Sequence, residues 1–381
     1  MTQEIRDELT DGGVMHAARY GNFYSSAAGS HFLNMYNKIK MFYWRNRKIL
    51  DLRSHVILVA PSGFGKSHFI KQFMEMPYGI LCKTGTKLIY QGTITAAGWV
   101  GSGTRGKDGK VHKDHGEAEL HPRAIFGCEE FKGLFTISSG AMIDALLATL
   151  DDGHLVKRIS AVRYDYQTFI TMFSGTQVEH FDLSRGLFRR LTTMVWIPTK
   201  KEEDRLREMY FEGDRAYNEK RLKKIRWAIN NRVKEAKMIR KVNMSQRFKE
   251  WALKKKIIPY ELPVYERLIM GYNFMKHPPD PKGVLECPVD KHLFTMLKNQ
   301  YNWRKMLKMN LPEIMIKRRI KEHGEISPTD LVLEMADLGM EVQKTGIILM
   351  DLLKRGIISR TEKGDFTFAR KARRETEERK H

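Results

Sequence analysis

Cysteine is scarce in this chain, with three residues in 381. Cys82, Cys128 and Cys287 lie far apart and form no Cys-x-x-Cys pair, which argues against a disulfide framework or a zinc site and suits a reducing compartment. No apolar run reaches the ~18 residues of a membrane helix, so no span is expected. The first residues, Met1 to Glu8, lack the basic and apolar stretches of a secretion signal, and the expected location is the cytoplasm or nucleoid. Negative charge is also short: 45 acidic residues face 67 Lys and Arg, leaving a net charge of +22. Such an excess favours a polyanionic partner, most often nucleic acid. An anionic membrane surface would want a basic amphipathic anchor, for which the Lys/Arg-rich stretches after residue 200 are the only candidates.

What is present begins at Val56-Ile57-Leu58-Val59, four apolar residues that read as a buried strand. Ala60-Pro61-Ser62-Gly63-Phe64-Gly65-Lys66-Ser67-His68 follows, and Phe69, Ile70 and Phe73 then fall on one side of a helix. Strand, Gly-rich turn and helix in that order make a phosphate-binding P-loop, with Ala60 where the pattern usually has Gly. The loop from Ala60 to His68 would surround the phosphates of ATP with backbone N–H groups (Pro61 has none), Lys66 would reach the β/γ-phosphates, and Ser67 would ligate Mg²⁺. Residues 124–131 form a second apolar strand ending in Glu129-Glu130. Glu129 suits the metal side and Glu130 the base that acts on attacking water.

Further strands are expected at Gly79–Cys82, Thr86–Tyr90, Phe169–Gln177 and Met194–Pro198, and a helix at Ala141–Leu150. Strands alternating with helices imply a mostly parallel α/β sheet. Polar groups closing the third strand, Ser174 and Thr176 among them, could sense the γ-phosphate. Two segments read as basic hairpins. In Gly101–His115 the tip carries Arg105, Lys107, Lys110 and Lys113 around Asp108-Gly109; in Gly153–Ser160 it carries Lys157 and Arg158. Both could contact a phosphate backbone.

The ends differ in kind. Residues 1–30, with the small run Ser25 to Ser30, read as a poorly ordered arm, and 31–50 as a helix on the core. From Lys200 the chain reads as helical, interrupted at His277–Gly283 by three prolines. Three short helices and a strand–turn–strand over 311–368 read as a winged helix-turn-helix, with Ser327 as an N-cap. The expected organisation is an arm and linker helix (1–50), an ATPase core (51–199), a helical lid and linker (200–310), the winged helix (311–375) and a charged tail (376–381).

In this order the motifs resemble the AAA+ ATPases, and residues 56–198 resemble the motor domain of the minichromosome maintenance replicative helicases. Gly92 to Gly98 stands where that family leads into its helix-2 insert hairpin, and Gly116 to Leu120 matches the return from it. Gly153–Ser160 resembles the pre-sensor-1 hairpin, and Ser174 or Thr176 the sensor-1 position, where Asn is usual. Gly186–Leu191 resembles the arginine-finger segment, with Arg190 as the finger. Arg267 is the chosen sensor-2 arginine, with Arg205 and Arg207 as alternatives. Glu129 stands where Asp is usual. Only about 50 residues precede the core, so the likeness does not reach that family's N-terminal OB-fold and zinc domain.

The resemblance implies an ATP-driven DNA helicase or translocase that self-associates into a ring, expected to be a hexamer, with ATP and Mg²⁺ as cofactors. An ATP-switched DNA-binding initiator, loader or transposition regulator is the alternative. A protein remodeller or transcription activator is a third, although the activators' Gly-Ala-Phe-Thr-Gly-Ala loop does not occur.

Overall fold

The computed structural model describes residues 2–35, 43–44, 47–48, 51–105, 109–131, 140–151, 153–159, 162–178, 189–211, 217–308 and 310–369. Helices α1 (Thr2–Asp11) and α2 (Ala17–Met35) open the chain, followed by a small hairpin of β1 (Tyr43–Trp44) and β2 (Arg47–Lys48). The core starts with β3 (His55–Val59) and α3 (Lys66–Met74) and continues through β4 (Leu88–Thr93) and α4 (Ala96–Val100). A hairpin of β5 (Gly101–Arg105) and β6 (Val111–His115) leads by α5 (Glu117–Leu120) into β7 (Ile125–Glu130). Helix α6 (Gly140–Asp151) leads into a second hairpin, β8 (His154–Ile159) and β9 (Val162–Gln167). Strands β10 (Thr171–Thr176) and β11 (Leu191–Val195) complete the core.

Five strands pair parallel in the order β11-β3-β10-β7-β4, so the chain is α/β with a central parallel sheet. Strands β3, β10 and β11 are buried at every position, and β3 accordingly carries the continuous apolar run Val56–Val59. Parallel pairing puts all five strand C-termini at one edge, where a doubly wound sheet binds its ligands.

From Lys200 the chain is mainly helical: α7 (Lys200–Phe211), α8 (Glu219–Ala236), α9 (Gln246–Lys254), α10 (Leu262–Lys276) and α11 (Lys291–Lys308). Two short strands, β12 (Lys241–Met244) and β13 (Val284–Cys287), pair in parallel within this region. The C-terminal unit comprises α12 (Leu311–His323), α13 (Pro328–Asp337), α14 (Val342–Lys354) and an antiparallel ribbon, β14 (Ile358–Arg360) with β15 (Phe366–Phe368). The Ser327 hydroxyl accepts from Asp330 N (3.0 Å) and caps α13 as expected.

Three expectations fail. The arm over residues 1–30 is two helices, and α2 is among the most buried elements of the chain. The small residues that suggested disorder instead permit a close crossing of α2 on α10. A Cβ on Gly29 would stand 2.4 Å from the Gly271 carbonyl oxygen, and one on Gly271 would stand 1.9 Å from that of Ser26. Over 31–50, the helix ends at Met35 and the described residues beyond it form the β1–β2 pair. Gly79–Cys82 is a turn, because Ile80 N and Leu81 N bond back to the Gln72 and Phe73 carbonyls and close off α3. Of the expected arginine-finger segment, Gly186 to Phe188 lie outside the described residues.

Aromatic rings lock α2 between the two layers. Tyr24 stacks on Phe69 and Phe73 of α3 and meets Phe173 of β10 edge-on, while Tyr20 stacks on Trp303 of α11. Helix α2 thereby fixes the helical layer against α3, the helix that begins at Lys66.

Candidate functional site

The loop after β3 is pinned at its start by Ala60 N, which donates to Thr176 O of β10 (3.1 Å). Gly63 and Gly65 take φ of +79° and +68°, a left-handed conformation that strains residues with a Cβ. No heavy atom lies within 4 Å of a Cβ built on either, so the backbone there faces open space. Gly65 directly precedes α3, whose first amides and partial positive charge therefore meet the loop.

Lys66 is buried beneath this loop. Its Nζ donates to Ala60 O (2.9 Å) and Pro61 O (2.5 Å). Burial pushes its pKa down to about 8, partly opposed by the Glu130 carboxylate. Phosphate oxygens would favour the charged ammonium and raise that value again. MgATP binding near pH 8 is therefore expected to take up about half a proton, read by calorimetry in buffers of different ionisation enthalpy. Affinity should fall as pH rises through this range; heats that do not depend on the buffer would contradict the assignment.

Ser67 Oγ donates to Glu129 Oε2 (2.9 Å), joining the first turn of α3 to the end of β7. Tyr90 OH of β4 donates to Glu129 Oε1, and Lys71 Nζ lies 3.5 Å from the same oxygen. Burial alone would raise the Glu129 pKa, but the Tyr90 and Ser67 hydrogen bonds and the Lys71 charge outweigh it and hold the carboxyl below its ordinary range. Glu129 is thus an anion at neutral pH. Its carboxylate and the Ser67 hydroxyl form a pair of hard oxygen ligands that fits Mg²⁺. Among the described residues no three His, Cys, Asp or Glu side chains gather around one point.

These groups share a cavity of about 480 Å³ lined by Ser62 to His68, Lys71, Glu129, Glu130 and Gln177. Strand β10 separates β3 from β7, so the two strands that end in the loop and in the paired carboxylates lie two strand spacings apart, about 10 Å, and the Ser67–Glu129 hydrogen bond bridges their ends.

Other expected site residues are placed elsewhere. Ser174 is buried and donates to Val56 O within the sheet (3.2 Å), and Thr176 turns to the Gln177 carbonyl (3.4 Å). Gln177, one residue on, is the polar group of this strand that lines the cavity. Arg267 does not line it; on α10 it shares the surroundings of His55 and Arg190, at the opposite end of β3 from the loop. Of its alternatives, Arg207 lines a cavity beside Ser62, Gly63 and Phe64, whereas Arg205 pairs with Glu208. Arg190 is 6% exposed and donates to Asp151 Oδ2 (2.8 Å). Tyr90 and Lys71 were not expected as site residues. Lys71 follows Ser67 by one helical turn, a spacing that could have revealed it.

Both basic segments lie in hairpins, but the second is wider than expected: His154–Ile159 is one strand, paired with Val162–Gln167, so Lys157 and Arg158 stand on a strand rather than at the tip of a hairpin within 153–160. Arg105 pairs with Val111 in the first, and Lys157 with Tyr164 and Arg158 with Arg163 in the second. They lie side by side: Tyr164 OH donates to Ser102 O and to Asp114 O (3.0 Å), and Tyr166 OH donates to Val100 O (3.0 Å). Lys110 and Arg158 are exposed. Lys113 is engaged by Glu119 (2.5 Å) and sits 4.9 Å above the Tyr164 ring, where it buttresses the hairpins. Lys107 lies outside the described residues.

No protein-family model matches the chain, and no curated protein matches it. No helix among the described residues is long and apolar enough to cross a membrane.

Proposed function

We propose that the chain is an ATP-hydrolysing DNA motor of the AAA+ type, resembling the minichromosome maintenance helicases and working as a ring. The convergence of Lys66, Ser67, Glu129 and Glu130 on one cavity at the sheet's C-terminal edge carries this proposal. Lys66 would neutralise the β/γ-phosphates, with Ser67 and Glu129 holding Mg²⁺, which supplies further charge neutralisation when bound. Glu130 would accept the proton of the attacking water as the bond between the β–γ bridging oxygen and the γ-phosphorus breaks, leaving ADP and phosphate. Gln177, which lines the same cavity, would orient that water.

Arg190 supports a ring. It precedes Leu191, which pairs with His55 at the start of β3, so a whole strand of about 15 Å lies between it and its own P-loop. Any ATP site it serves would therefore be another molecule's, and doing so would require release from Asp151. The helices from Lys200 to Lys308 would form the lid, and the three C-terminal helices with their ribbon a winged helix.

DNA is the proposed partner because the paired hairpins present like charges. Arg158 and Arg163 are directly opposed across β8 and β9; Asp165, 3.3 Å from Arg163, offsets part of that charge, and a phosphate would offset the rest. Replacing Lys157 and Arg158 by Ala should abolish DNA stimulation of ATP hydrolysis and lower the slope of log affinity against log salt by about 1–2. Stimulation that survives the double change would exclude the second hairpin as the grip. Nucleotide-dependent DNA binding without any stimulated turnover in the wild type would favour the initiator or loader instead.

A further inference from the structure

A second cavity, of about 550 Å³, adjoins the phosphate cavity, and the two share Ser62, Gly63 and Phe64. The first is walled by charged and amide groups, as phosphates require. The second adds an apolar face: Phe64, edge-on to Trp196 at 6.0 Å, Leu206 and Phe211 of α7, and Leu338 at the end of α13. Lys200, Glu203, Arg207, Glu334 and Asp337 complete its lining with charge. A planar base can lie on the apolar face with its polar edge toward the charged side chains, and the volume lies within the ~300–1,000 Å³ of small-molecule sites.

We propose that the nucleoside half of the bound nucleotide occupies this second cavity, between α7 and the C-terminal unit, so that base binding and docking of that unit reinforce one another. This rests on the P-loop being a nucleotide site. The docking itself is built from ion pairs around the same space. Arg319 of α12, almost fully buried, contacts Glu203 of α7, Glu322 (3.3 Å) and Glu334 of α13 (3.6 Å). Lys200 lies 3.9 Å from Glu334, and Arg318 donates to Ile197 O (2.6 Å) just after β11. Glu203 and Glu334 also line the cavity. A base placed there bridges the two elements that these pairs hold together. The C-terminal unit then reports whether a nucleoside is present, and not merely phosphate.

The test compares MgATP with magnesium tripolyphosphate on the full chain. Phe211 is 84% exposed, so Phe211→Ala removes a stacking face without opening the core. It should weaken ATP about tenfold, as loss of one base–aromatic stack does, and leave tripolyphosphate within about twofold. In the wild type, ATP but not tripolyphosphate should slow hydrogen exchange of the α13 amides. Equal loss for both ligands, no loss for either, or α13 exchange indifferent to ATP would overturn the proposal while leaving the P-loop assignment standing. A wild type that binds neither ligand would remove the P-loop assignment itself, and the proposal with it.

Discussion

Glu130→Gln lowers ATP hydrolysis by at least about a hundredfold while MgATP still binds, because a positioned general base contributes ~10²–10⁴ in rate. The neighbouring Glu129 cannot substitute for it. Glu129 is committed to Ser67, Tyr90 and Lys71, whereas Glu130 faces the same cavity as Lys66 and raises that lysine's pKa through its charge. Gln keeps the shape and hydrogen-bonding reach of Glu but takes no proton at neutral pH. The measurement is phosphate release at saturating ATP beside a direct binding titration. Loss of binding along with turnover would mean that the residue holds the site together and does no proton transfer.

Arg190→Ala is equally inactive on its own, and a mixture of it with Glu130→Gln recovers hydrolysis. An arginine supplied to a neighbour's site is worth ~10³–10⁵ in rate. One variant keeps the base and the other keeps the arginine, so a mixed ring contains interfaces where both meet. Burial on Asp151 makes the mixing essential, since truncating a buried, ion-paired arginine can destabilise the fold by itself. A purely structural role leaves the mixture no more active than its parts. Rates measured across mixing ratios separate the two.

The parts of this molecule that read clearly from sequence are those fixed by nearby residues. The apolar run at Val56–Val59, the glycines at 63 and 65 and the helix after Lys66 lie within one short stretch, and α13 is announced by its Ser327 cap. What was not legible depends on distant partners. The small residues of α2 make sense only against Gly271, some 240 residues away in the chain. Tyr90 reaches Glu129 because β4 pairs beside β7, and no local pattern states that pairing. Ser174 and Thr176 are polar at the right strand but face its packed surroundings, and Gln177 emerges only where the strand ends. Helical spacing around Arg267 likewise says nothing about which end of the sheet it will meet. β12 and β13 pair across about forty residues of helix, a separation for which short apolar strands carry no local signal.

The measurement that bears most directly on the central claim is steady-state phosphate release by the wild type and by Lys66→Ala, at low salt, with and without single- and double-stranded DNA. The wild type should hydrolyse MgATP and be accelerated by DNA, while Lys66→Ala stays at background in every condition. Hydrolysis by Lys66→Ala at the wild-type rate would contradict the assignment of the loop between Ala60 and His68.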